Sequence, residues 1–138
     1  GPNVDNYYED PGNHKNHYIY LQGLWSNELE GLKHARKTIN YEDFVAVKLS
    51  AIEANVVLSL DQPEPYSVRI TIDGRPLRKS EAGSDVRFDV YGNSYIYVDS
   101  SDMYRLIKLP AYGSHEIQIA SNSDNFKVFA FTFGSYLD

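Results

Sequence analysis

Three tyrosines in neighbouring runs, Tyr95, Tyr97 and Tyr104, and the single tryptophan, Trp25, are the side chains of this chain best suited to touching a ligand. Tyr95 and Tyr97 share one face of a strand by the two-residue period, so their rings can form a platform. A tryptophan at the rim of a β-sandwich can stack on the apolar face of a sugar ring, and the tyrosines can form the aromatic wall of a small-molecule site. Cross-strand packing accounts for the tyrosines equally well. Core or edge packing does the same for Trp25 beside Leu24.

Residues able to carry a reaction are present but not in reactive patterns. His14, His17, His34 and His115 form no HxH or HExxH pair that would hold zinc, and no GxSxG nucleophile motif occurs. His115, opening a strand after Gly113-Ser114, suits a structural bond to a loop carbonyl. The carboxylate pairs Glu42 with Asp43, Asp61 with Glu64, and Asp85 with Asp89 have the composition of a glycosidase pair, but they adjoin turns or point outward, where acids are solvated. Asp99-Ser-Ser-Asp102 offers oxygens to a calcium ion, yet it lacks EF-hand spacing and reads better as a turn. Arg69, Arg75, Arg78 and Lys79 gather near Asp73-Gly74 and could receive an acidic partner or form a solvated loop. The expectation is therefore no catalytic residue, no metal and no cofactor.

Composition narrows the partners. The 138 residues are 42% hydrophobic and 14% aromatic, with twelve tyrosines, enough for one domain with its own core. A formal charge of -6, without a dense basic stripe, argues against nucleic acid. A mean hydropathy of -0.46, with no long apolar run, argues against membrane insertion. Zero cysteines remove thiol redox chemistry from this chain. Gly1-Pro2 reads as the scar of a cleaved tag, and residues 1–16 as that scar plus a flexible linker or arm. Residues 17–138 are then a single domain.

The elements that must position these residues are strands. Tyr18 to Gln22, Leu24 to Leu29, Phe44 to Ser50, Asn55 to Leu60 and Tyr66 to Ile72 read as successive extended runs, with helix as a competitor over Asn27 to Lys37. Val45, Val47 and Leu49 share one side, as do Val68, Ile70 and Ile72, leaving Ser67, Arg69 and Thr71 outward. Asp73-Gly74 makes a tight turn. Strands then follow over Val86 to Val90, Tyr95 to Val98, Met103 to Leu109, His115 to Ala120 and Phe126 to Phe133. The fold class is all-β: an antiparallel two-sheet β-sandwich, jelly-roll-like, of about nine or ten strands.

Several of these runs, in this order, resemble the β-sandwich that follows the thioredoxin-like domain of DipZ-type proteins, the thioredoxin-like C-terminal domain family. The residues that carry the resemblance are Leu24-Trp25 within the LxGxW-like segment Leu21 to Trp25, Ile72-Asp73-Gly74, and Met103 to Ile107. His115 with Ile117 and Ile119, and the ending Val128-Phe-Ala-Phe-Thr-Phe-Gly134, complete it. The resemblance implies a jelly roll similar to carbohydrate-binding modules, fused in the parent protein to a thioredoxin fold that carries the redox cysteines. It also implies an extracytoplasmic setting, in the periplasm or cell envelope. Two roles follow as expectations: a non-catalytic carbohydrate-binding-like module of a thiol-disulfide oxidoreductase, or a structural docking domain that positions the thioredoxin domain or recruits its protein substrates.

Overall fold

The computed structural model describes residues 4–134, so the tag reading of Gly1-Pro2 and the last four residues lie outside it. The chain forms β1 (Asp5–Tyr8), β2 (Ile19–Glu28), β3 (Gly31–His34), β4 (Phe44–Leu60) and β5 (Tyr66–Ile72). It continues through β6 (Arg75–Pro76), a 3-10 turn (Lys79–Glu81), β7 (Arg87–Phe88), β8 (Ser94–Val98), β9 (Asp102–Ala120) and β10 (Phe126–Gly134). All ladders between these strands are antiparallel. The all-β sandwich expected from the alternation is therefore the fold.

Three long strands belong to both sheets. In the front sheet the order is β7, β8, β5, the second half of β9, the first half of β4, and the start of β2. The back sheet runs β1, the rest of β2, β3, β10, the second half of β4, and the first half of β9. Each shared strand bends where it crosses over. β2 turns at Gly23, which has a φ of +104. β4 has a register shift between Ala51 and Glu53, opposite an excursion of β9 that exposes Pro110, Ala111 and Tyr112. Bulges and glycines are the usual means of turning a strand from one sheet into another.

The inward-pointing residues follow the alternation. Val45, Val47, Leu49, Val68, Ile70 and Ile72 are all buried, with Ile117 and Ile119 facing them from β9. Phe126 and Trp25 close the core between the sheets, their rings meeting edge to face at 5.5 Å.

Four expectations need correction. Phe44 to Ser50 and Asn55 to Leu60 are one bent strand rather than two, as are Tyr18 to Gln22 with Leu24 to Leu29, and Met103 to Leu109 with His115 to Ala120. Asn27 to Lys37 contains β3 and no helix, Gly31 fitting where a Cβ would lie 2.6 Å from the Val128 carbonyl. The strand expected over Val86 to Val90 is only Arg87–Phe88, and Val90 is 93% exposed at a turn. Within residues 1–16, read as a flexible arm, Asp5–Tyr8 pairs with Gly23 to Ser26, and His14 stacks on Tyr20 at 4.0 Å. Polar composition hid this segment because its bonds are made by backbone and by aromatic stacking.

Gly23 is also where sterics are tightest, since a Cβ there would lie 1.9 Å from the Asp43 Cγ. Gly23→Ala is expected to destabilise the domain by about 3 kcal/mol or more, by displacing a buried carboxylate from its donors and straining a left-handed residue. Gly12→Ala, with positive φ but open space around it, should cost about 1 kcal/mol. Urea unfolding followed by Trp25 fluorescence measures both; equal losses would show that contact with Asp43 is not what requires Gly23.

Candidate functional site

The outward face of the front sheet places Arg69 of β5, Tyr95 of β8 and Arg87 of β7 side by side, because Tyr95 is the register partner of both arginines. Ser67 lies opposite Tyr97 one step along. These residues, with Tyr41, Asp89 and Asn93, line an open groove of about 430 Å3. A second basin of about 300 Å3 continues beyond it, lined by Ser84, Asp85, Asp99, Ser100, Asp102 and Tyr104, and it shares Arg87 and Tyr97 with the first. The Arg87 guanidinium stacks over Tyr97 at 5.4 Å and so forms the saddle between the two basins.

Tyr41 forms the far wall. It sits in the left-handed region at φ 55, and its ring lies under the Arg69 guanidinium at 4.0 Å. The segment carrying it is held from both sides. Asn122 Oδ1 accepts the Tyr41 amide at 2.8 Å and the Thr38 hydroxyl at 2.9 Å, and two residues on, the buried Asp43 carboxylate anchors the chain. That carboxylate accepts from Arg36 Nε at 2.7 Å, Arg36 Nη2 at 2.6 Å, the Leu24 amide at 3.2 Å, and faces His34 Nε2 at 2.8 Å. Burial pushes the Asp43 carboxyl up, but the bonds from Arg36, His34 and Leu24 outweigh it and hold the group below the usual carboxylate range.

Asp89 closes the opposite end of the first basin. It accepts the Tyr91 amide at 2.9 Å, the Asn93 amide at 2.8 Å and the Asn93 side chain at 3.0 Å. The Asn93 side chain, against a smaller desolvation, holds its carboxyl below the ordinary value.

Of the four ligand candidates, the structure brings three to this region. Tyr97 is 39% exposed on the groove floor, Tyr95 is half-buried beside it, and Tyr104 is mostly buried under the second basin with its hydroxyl donating to Ser100 O at 2.6 Å. Trp25 is the exception. It is fully buried, its indole N–H donates to Gln22 O at 2.8 Å, and it presents no face to a surface ligand. The core reading of Trp25 is the one its burial supports.

The other candidates serve the fold. His34 is buried, with Nδ1 donating to Ser123 O at 2.8 Å. His115 Nδ1 meets Asp73 Oδ2 at 2.7 Å, a carboxylate rather than the expected loop carbonyl, while Asp73 Oδ1 accepts the Glu116 amide at 2.9 Å. His17 stacks on Phe133, and His14 lies between Asp10 and Glu116. Asp85 accepts the Arg105 amide at 2.7 Å, and Glu42 accepts the amides of Ile39 and Asn40. Among the described residues, no cluster of three or more histidines or acids could hold a metal, Asp99 and Asp102 included. The basic cluster is divided: Arg69 belongs to the groove, whereas Arg75 makes a two-pronged pair with Glu81, both bonds 2.9 Å. Arg69 was legible as an outward residue and a member of that basic cluster, and Arg87 only as an outward strand residue; nothing in the sequence placed them on two strands flanking Tyr95.

The domain belongs to the thioredoxin-like C-terminal domain family, whose pattern matches residues 1–134. Among solved structures it is similar to a family two carbohydrate esterase from Clostridium thermocellum in complex with cellohexaose, at a TM-score of 0.62 and 17% identity over 85% of this chain and 31% of that one. An active-site mutant of a family two carbohydrate esterase from the same organism, also solved as a complex, gives a TM-score of 0.62 and 18% identity over 86% and 31%. The chain thus spans about a third of the length of these relatives, and the likeness is one of fold. No curated protein matches the sequence. Among the described residues, no helix is long and apolar enough to cross a membrane.

The Arg75–Glu81 pair has a readable pH signature. Arg75, against a smaller desolvation, holds the Glu81 carboxyl down at about 2 from an ordinary 4.5. A carboxyl depressed on folding stabilises above its unfolded value, and that contribution fades as pH falls from about 4.5 through about 2. Glu81→Gln should therefore cost roughly 1–2 kcal/mol at neutral pH and progressively less below pH 4.5. Unfolding curves of both proteins across this range test it; a constant difference would remove the assigned role.

Proposed function

We propose that this domain is a non-catalytic glycan-binding module whose ligand lies in the groove across β5, β8 and β7. The observation that carries the reading is the groove itself: tyrosine rings on its floor and wall, with arginine, aspartate, asparagine and serine side chains around them. Sugar rings have apolar C–H faces and a rim of hydroxyls, so they need this pairing of flat aromatic surface with hydrogen-bonding groups. Tyr97 supplies the exposed surface, and Tyr95 packs beside it. Asn93, Ser67 and Asp89 supply acceptors and donors at the rim. The second basin, with Tyr104 beneath it, extends the path for further sugar units. The esterase structure of the same fold was solved with cellohexaose, which accords with this reading. Within a longer protein, the module is the C-terminal part of a thioredoxin-like, DipZ-type thiol-disulfide oxidoreductase, and the absence of cysteine from its own sequence leaves redox chemistry to that partner domain.

The test is a titration with a broad oligosaccharide panel, followed by backbone amide shifts. Saturable shifts concentrated on Ser67 to Thr71, Arg87 to Asp89 and Ser94 to Val98 are expected. Tyr97→Ala should weaken binding about tenfold or more while leaving unfolding stability within about 0.5 kcal/mol, as for an exposed side chain. Trp25→Phe should do the reverse, lowering stability and sparing affinity. A folded domain that binds nothing on the panel would overturn the glycan reading in favour of a docking role toward the thioredoxin domain or its substrates.

A further inference from the structure

We infer that the glycan taken by this groove is acidic, an oligosaccharide whose hexuronic acid carboxylate is held by Arg69 and Arg87 above Tyr95. The inference rests on the glycan-binding reading and names the class of ligand within it. Arg69 and Arg87 stand on the two strands that flank β8, each in register with Tyr95. Their backbones are therefore separated by two strand spacings, about 10 Å, a span that long side chains can close from both sides onto one small anion. Among the described residues neither guanidinium takes part in an ion pair. Each instead lies over a ring, Arg69 on Tyr41 at 4.0 Å and Arg87 on Tyr97 at 5.4 Å. A ring beneath a guanidinium makes no hydrogen bond to its N–H groups, which are the groups used in planar, bidentate recognition of a carboxylate.

Charge elsewhere in the groove limits how much acid the ligand carries. Asp89 shares the first basin, and Asp85, Asp99 and Asp102 ring the second. A chain ionised at every sugar would meet these carboxylates beyond the Arg87–Tyr97 saddle. One carrying a single acidic unit places it between the arginines and lays neutral units across Tyr97 into the acidic basin. The chain as a whole has a formal charge of -6, so the paired arginines are a local exception to its surface charge.

The experiment uses xylo-, gluco- and galacto-oligosaccharides that each carry one hexuronic acid, every one paired with its counterpart whose carboxyl has been reduced to the alcohol. Affinities are read by amide shifts at low and high salt. Expected is at least tenfold tighter binding of an acidic member than of its reduced twin, a preference that shrinks with salt and is lost in Arg69→Gln and Arg87→Gln proteins that keep the wild-type unfolding midpoint. Binding with equal affinity within every twin pair would overturn the inference and leave the glycan reading intact. Failure of every acidic and neutral sugar would overturn both. Binding of an oligoglutamate peptide at the same residues, as tight as the best acidic sugar, would also overturn it, assigning the arginine pair to a protein partner.

Discussion

The structure depends on one buried carboxylate. Asp43 sits 1% exposed at the point where β2 leaves the front sheet for the back. A charge so placed is tolerable only if it is surrounded by donors, and Leu24, His34 and Arg36 surround it. Those donors come from three successive stretches of chain: the bend after Gly23, the end of β3, and the loop beyond it. Satisfying one side chain therefore fixes the path of all three. It also explains the glycine, because any larger residue at position 23 would occupy the space of the carboxylate.

The consequence reaches the surface through Tyr41. With Asp43 held inside and Asn122 gripping the loop amide, Tyr41 has little freedom, and its ring forms the wall against which Arg69 stacks. A second anchoring point is at Asp73, where the I′-like turn of Asp73 and Gly74, both at positive φ, is tied to β9 through His115 and the Glu116 amide. Both anchors use a turn-proximal aspartate to bind groups distant in sequence. They account physically for the Ile72-Asp73-Gly74 and His115 elements that carry the family resemblance.

Alternation made the core legible in advance. Val45, Val47, Leu49, Val68, Ile70 and Ile72 were all placed inward by period two, and all are buried. What the period could not show was continuity. A strand that bends between sheets interrupts its own alternation, so Ala51 to Glu53 and Pro110 to Gly113 look like breaks between strands when they are corners within one. Trp25 misleads for a related reason. Its type suits a sugar and a core equally, and only the closing of Phe126 against it decides. Tyr95 and Tyr97 were legible as a pair because they share a strand. Arg69, Arg87 and Tyr41 were not legible with them, since they are brought there by pairings between strands far apart in sequence.

Part of the front face is covered by the chain itself. Ala46 points outward, opposite in phase to Val45 and Val47, yet it is fully buried. Its neighbours in register are Tyr20 and Gln118, and above Tyr20 lies His14, stacked at 4.0 Å and flanked by Asp10 and Glu116. The segment before β2 thus lies over the β2 and β4 side of the sheet, with Asp10 further tied through its amide to the Gln22 side chain at 3.0 Å. The open groove lies on the β5, β8 and β7 side. The groove lies apart from this covered part, at the place where two arginines and three tyrosines converge between Tyr41 and Asp89. The same residues whose composition suggests a mere connector are in this way part of the packing of the sheet.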